Sequence, residues 1–240
     1  MEPCRIHPLN IFGENMKNLV LGPRLKTVAE FVRTNKTVAD VGTDHAYLIA
    51  YLILNGISPL GYACDINPNP LKKALSTVKE YEIENRVKLV LCDGLDKISK
   101  DSVDDIVIAG MGGETIIAIL DACAWSKSEE KHYILQPMTK ASDLRRYLCE
   151  NGFEIKKEKG VKDTDKLYTV MSVFYTGNKT VPTDVYCEVG NLFQNNDEDS
   201  KHYIKNRAES VLKKAEGIKT KNPDAAQQYF DLYDDIMRCL

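Results

Sequence analysis

The sequence predicts a doubly wound α/β fold: a mostly parallel seven-stranded sheet with an antiparallel edge hairpin, followed by a small helical appendage. Three observations predict it. Short apolar runs alternate with helix-periodic segments from about residue 25 to residue 150. Several of those runs end in an acid or a glycine-rich turn, where an open α/β sheet places its ligands. Two further strand-like runs then follow each other with no helix between them.

The elements come in this order. Leu25 to Arg33 puts Leu25, Val28, Ala29 and Val32 on one face and reads as a helix. Val38 to Val41 is a short strand. Ala46 to Leu54 is apolar on nearly all sides, so it is expected to be a helix buried against the sheet. Gly61 to Ile66 is the second strand. Pro68 and Pro70 open the next helix, since a first turn tolerates proline. Val87 to Leu91 and Ile106 to Ala109 are the third and fourth strands, the latter closing in Gly110-Met111-Gly112-Gly113. Glu114 to Ala122 returns as helix. Tyr133 to Leu135 is the fifth strand, and Ala141 to Glu150 a helix stopped by Asn151-Gly152. Phe153 to Val161 and Leu167 to Tyr175, joined by a polar turn, are expected to pair antiparallel. Gly177 to Pro182 reads as a linker. Beyond Thr183 only helical spacing is found, broken at Pro223. The expected division is therefore residues 1–178 and residues 179–240.

Composition narrows the class. The 240 residues are 43% hydrophobic, enough for a sizeable core. The longest apolar stretch is far short of the ~20 residues that cross a bilayer, and Met1-Glu2-Pro3-Cys4-Arg5 does not begin a signal peptide. Seven widely spaced cysteines without C-x-x-C predict reduced thiols in the cytosol, and no metal-binding spacing is present. A net charge of −3 argues against a uniformly basic nucleic-acid binder. The distribution is uneven, however. Residues 201–221 carry seven cations against two acids, among them Lys205, Arg207, Lys213 and Lys214, and residues 1–36, which include Arg24, carry six against three. Such runs are either solvated surface or a grip on a polyanion.

The strand ends carry the chemistry. They read Asp40-Val41-Gly42-Thr43-Asp44-His45, then Asp65-Ile66, then Asp93-Gly94, then Ala109-Gly110-Met111-Gly112-Gly113. One acid at a strand end can merely cap a helix. Three successive strands ending in Asp predict a shared binding edge. Asp65 lies about 20 residues beyond the first loop, where such sheets hold ribose hydroxyls. The first loop lacks G-x-G-x-x-G, so it is poorly suited to a pyrophosphate. An adenosine ligand without pyrophosphate points to S-adenosylmethionine. On that reading Gly42 admits the amino-acid end of the cofactor, Asp40 orients the loop or meets the ammonium, and Asp93 and Ile66 take the adenine. Gly110 and Gly112 leave room beside the sulfonium. Thr43, His45, Gly94 and Ala109 complete the cofactor set, although His45 serves equally well as a loop hydrogen bonder.

These residues resemble a known family. Arg24-Leu25, Ala39 through Leu48, Pro70-Leu71, Asp93-Gly94-Leu95, Ile108 through Gly113 and Leu135-Gln136-Pro137 are similar, in order, to the bacterial tRNA adenine-22 N1-methyltransferases. The chain departs from that pattern at Asn69 and at Leu21-Gly22-Pro23. The resemblance implies a Rossmann-like class I methyltransferase fold with a C-terminal coiled-coil-like helical domain. It implies methyl transfer from S-adenosylmethionine to N1 of a tRNA adenine, with tRNA as partner; no membrane, metal or protein partner is expected. Asp44 and the backbone around Met111 and Gly112 are the candidates for stabilising the charge that reaches the base. Arg24 and the four cations of the tail are the candidates for RNA contact. A methyltransferase for a small molecule or protein, and a non-catalytic cofactor- or RNA-binding module, are the alternatives.

Overall fold

The computed structural model describes residues 19–240. The readings of Met1–Arg5, and of Arg5 and Lys17 in the amino-terminal basic run, fall outside them. Seven strands form one sheet: β1 (Val38–Val41), β2 (Gly61–Asp65), β3 (Val87–Leu91), β4 (Asp105–Gly112), β5 (His132–Thr139), β6 (Phe153–Asp163) and β7 (Lys166–Tyr175). Their order is β3-β2-β1-β4-β5-β7-β6. The first five run parallel, and β7 joins antiparallel to both β5 and β6. The order reverses between β1 and β4, so a crevice opens there at the carboxyl ends.

Helices α1 (Pro23–Phe31), α2 (Tyr47–Leu54), α3 (Pro68–Glu80), α4 (Gly113–Ala122) and α5 (Ala141–Glu150) cover the two faces. The all-round apolar α2 has the environment its composition requires: Leu48, Ile49, Leu52 and Ile53 are buried. Each such side chain contributes about 1.5–3 kcal/mol of transfer free energy. One core lies on the α1–α3 side around Val38, Ala63 and Val107, the other on the α4–α5 side around Ala39, Cys64 and Ile108. Alternation along the same strands feeds both.

Two strands run further than expected. β4 continues through Gly112, not stopping at Ala109, and β5 continues through Thr139, not stopping at Leu135. The reason is a bulge. The β4–β5 register shifts on both sides of Met111, so Gly110 drops out of the ladder while pairing resumes beyond it.

The appendage consists of α6 (Asp184–Val189), α7 (Glu198–Ile218) and α8 (Pro223–Met237). It packs around Val189, Leu192, Ile204, Val211 and Ile236. A buried ion pair joins it to the sheet. Arg145 of α5 donates to Glu158 of β6 at 2.7 and 3.0 Å, and to the carbonyls of Cys187 and Glu188 at 2.7 and 2.9 Å. Both charged side chains are fully buried. No helix among the described residues is long and apolar enough to cross a membrane.

Candidate functional site

A cavity of about 750 Å³ lies at the crevice predicted by the strand order. Gly42, Asp65, Ile66, Asp93, Gly94, Gly110 and Met111 line it, all named from the sequence. The loop after β1 is hung on its neighbour: the amides of Gly42 and Thr43 both donate to the Cys64 carbonyl, at 2.8 and 2.9 Å. Gly42 has φ +79, and a β-carbon there would collide with the Met111 side chain. The positive φ is what calls for glycine, since the end of the Met111 side chain could move aside. The Cys92 amide donates to the Asp65 carbonyl at 3.0 Å, which sets the third strand end beside the second. Asp65 Oδ1 accepts the Asn67 amide at 2.7 Å, fixing that carboxylate at the rim.

Other candidates from the sequence lie outside the cavity wall. Asp40 is buried beneath the loop. Burial pushes its carboxyl up to about 6, against the opposing effects of a Thr43 hydrogen bond and the Arg24 charge. Thr43 is also buried, and its hydroxyl accepts the Ala46 amide at 3.1 Å, holding the turn into α2. Asp44 points out to Lys73 at 3.1 Å and His45 Nε2 at 3.3 Å. His45 stacks on Tyr47 with ring centroids 5.0 Å apart. Ala109 and Gly112 flank the bulge without lining the cavity. These residues shape or border the site: Asp40 and Thr43 are buried behind it, Asp44 and His45 face solvent, and Ala109 and Gly112 lie on β4 beside the bulge.

Gln136 was not among the candidates, though its position between apolar Leu135 and Pro137 is the signal that could have found it: a polar side chain at a buried strand end. It is fully buried. Its Oε1 accepts from Gly110 N at 3.0 Å and from Arg24 Nη1 at 2.6 Å. The glutamine thus replaces the ladder partner that the bulge takes from Gly110. Arg24 is held between Gln136 and Asp163, 3.7 Å from its Nε, and belongs to the support of the glycine turn. Thr115, Ile119 and Cys123 add wall from α4 and its end.

The lining includes Asp65, Asp93 and Asp96 and no Lys, Arg or His. Such a wall repels phosphates and suits a cationic ligand. With a rim carboxylate for a diol and backbone brought close at Gly42 and Gly110, the donor set fits S-adenosylmethionine. No group of three or more His, Cys, Asp or Glu among the described residues could hold a metal.

Comparison with known proteins agrees. The family described as a methyltransferase domain matches residues 21–171. The tRNA (adenine(22)-N(1))-methyltransferase of Bacillus subtilis (strain 168) is 34% identical over 156 residues, 65% of this chain and 66% of that protein. The aligned stretch thus spans about two thirds of that relative. The structure of M. capricolum TrmK in complex with S-adenosyl-homocysteine superposes with a TM-score of 0.73 at 27% identity, covering 94% of this chain and 96% of that one. Streptococcus pneumoniae Sp1610 in complex with S-adenosyl-L-methionine gives 0.78 at 27% identity, covering 90% and 98%. The chain belongs to the methyltransferase-domain family and, within it, groups with the bacterial tRNA (adenine-22, N1)-methyltransferases.

Proposed function

We propose that this chain transfers a methyl group from S-adenosylmethionine to N1 of an adenine in tRNA, adenine 22. The observation that carries the reading is the cavity at the switch point, walled by acids and glycines and free of basic side chains, in a chain whose relatives methylate that position.

When bound, the cofactor supplies an electrophilic methyl group on a cationic sulfur. In this reading Asp65 accepts from the ribose hydroxyls, Asp93 and Ile66 take the adenine, and Gly42 and Gly110 bring the backbone up to the amino-acid end. Adenine N1 has its own lone pair, so no residue has to remove a proton before attack. The chain contributes alignment and the exclusion of water. Gln136 and Arg24 hold the turn from Gly110 to Gly112, past which the base approaches. Positive charge passes to the methylated base, and the Met111 backbone is the group proposed to stabilise it, Asp44 being held away by Lys73 and His45 and expected to add little. N1 lies on the pairing edge, so the adenine must be unpaired or turned out of the stack. Residues 1–178 carry this chemistry, and residues 179–240 add RNA contact.

The test uses tRNA transcripts with adenine or guanine at position 22, incubated with methyl-labelled cofactor and digested to nucleosides. Label in 1-methyladenosine from the first transcript alone is expected. Label in another nucleoside, or in neither transcript, would defeat the proposal.

A further inference from the structure

We propose that the groove between the carboxyl end of β5 and the helical appendage seats the RNA strand adjoining the methylated adenine, and that Lys140 and Lys214 grip its phosphodiester backbone. The inference rests on the tRNA-methylating reading above.

The groove encloses about 550 Å³, a volume suited to a nucleotide. Its floor begins at Pro137, Met138 and Thr139, on the stretch of β5 registered against Met111 and Gly112. The Thr139 hydroxyl is the nearest group to a β-carbon built on Gly112. A strand leaving the glycine turn therefore passes directly into the groove. The opposite wall is one stripe of α7, which contributes Tyr203, Asn206, Arg207, Ser210 and Lys214 at helical spacing.

The charges in the groove are not equivalent. Arg207 is engaged by Glu188 at 2.6 and 3.0 Å and serves as wall. Lys140 shares a half-exposed 3.4 Å pair with Asp143, an interaction weak enough for a phosphate to displace. Among the described residues no carboxylate lies within ion-pair distance of Lys214. Its ammonium sits 4.2 Å from the centre of the Tyr229 ring, which aims it. Lys205 and Lys213 are exposed on α7 but do not line the groove. These two hollows thus sort ligands by charge: one has no basic side chain and suits a sulfonium, the other offers two available ammonium groups.

The full chain carrying Lys140→Met and Lys214→Met tests this, since methionine keeps the apolar stems. A Lys79→Met, Lys127→Met control removes the same charge from exposed positions elsewhere. Thermal melting matched to wild type checks the fold. The groove variant is expected to bind the tRNA transcript about tenfold more weakly, with the log–log salt slope reduced by about 2. Its KM for tRNA should rise while kcat and cofactor affinity hold. The control should move affinity by less than about twofold. Unchanged affinity and slope in the groove variant would overturn the proposal, and so would an equal loss in the control. If wild type shows the groove-dependent slope but transfers no methyl group, the groove stands and the catalytic reading is what fails.

Discussion

Aspartates close both ends of this sheet, and the fold treats them in opposite ways. At the amino end, Asp105 is buried and saturated. Arg33 donates to it from Nε at 2.7 Å and from its amide at 2.8 Å, and His132 Nδ1 lies 3.1 Å away. His132 Nε2 is in turn 2.7 Å from the Ser172 hydroxyl. At the carboxyl end, the Asp65 side chain receives the Asn67 amide, and among the described residues the Asp93 carboxylate accepts no hydrogen bond. The two buried acids, one at each edge, also ionise differently. Burial alone would raise Asp105, but His132 and Arg33 outweigh it and hold the carboxyl below its ordinary value. Burial does raise Asp40, to about 6. An acid that the chain satisfies in full is structure, and an acid left facing a cavity is available to a ligand.

Asp105→Ala should break this contrast most visibly. It strands Arg33 and His132 beside a buried position, so a stability loss of about 3–5 kcal/mol is expected. Urea denaturation reads the loss, and cofactor affinity of the folded fraction should hold. Reduced affinity at full stability would show that the amino edge also serves the ligand. Asp40→Asn should come next. The folded-state value near 6 exceeds the ordinary 3.8, so the folded protein binds the proton more tightly. That contribution is fully present below about pH 4 and is lost as pH rises through about 6, roughly 2–3 kcal/mol in all. Unfolding of wild type and variant between pH 4 and 8 should show this slope in wild type only. Parallel profiles would mean that Asp40 ionises without cost. Asp65→Ala is the mirror of Asp105→Ala: stability should stay within about 1 kcal/mol while cofactor binding weakens by about 1–3 kcal/mol. Calorimetric titration with S-adenosylmethionine decides, and unchanged affinity would remove Asp65 from the ribose role.

The carboxyl-edge half of this contrast is legible in the sequence, and the Asp105 network is not. Val38–Val41, Val87–Leu91 and Ala141–Glu150 have the bounds their apolar patterns predict, because short-range periodicity is a local property. The acids at the strand ends were visible for the same reason. The bulge at Gly110 was not. It depends on Gln136, 26 residues on, and on Arg24, 112 residues before that glutamine. No local pattern encodes a contact of that span. Arg24 reads from the sequence as a candidate RNA contact, and its hydrogen bond to Gln136, which also supports the glycine turn, is not visible there. The basic run 201–221 is helical as far as Ile218, and while Lys201 meets Glu198 on the same helix, Arg207 is engaged by Glu188 of α6, a pairing no local pattern shows.

Asp44 carries the smallest expected effect and tests where the boundary between the two kinds of acid falls. It belongs to the carboxyl edge by position, but its side chain is 65% exposed and paired with Lys73 at 3.1 Å and His45 at 3.3 Å. An exposed pair contributes about 0–1 kcal/mol and weakens with salt. A carboxylate that water screens and Lys73 neutralises projects little field toward a base in the crevice. Asp44→Asn should therefore cost less than about 1 kcal/mol of stability and reduce turnover by less than about tenfold. Lys73→Met should change stability as little, since it removes the other half of the same pair. Single-turnover methylation with saturating cofactor separates the outcomes. A hundredfold fall in turnover at unchanged cofactor affinity would mean that Asp44 leaves Lys73 when tRNA binds and turns to the reacting base, joining Asp65 and Asp93 among the acids kept for a ligand.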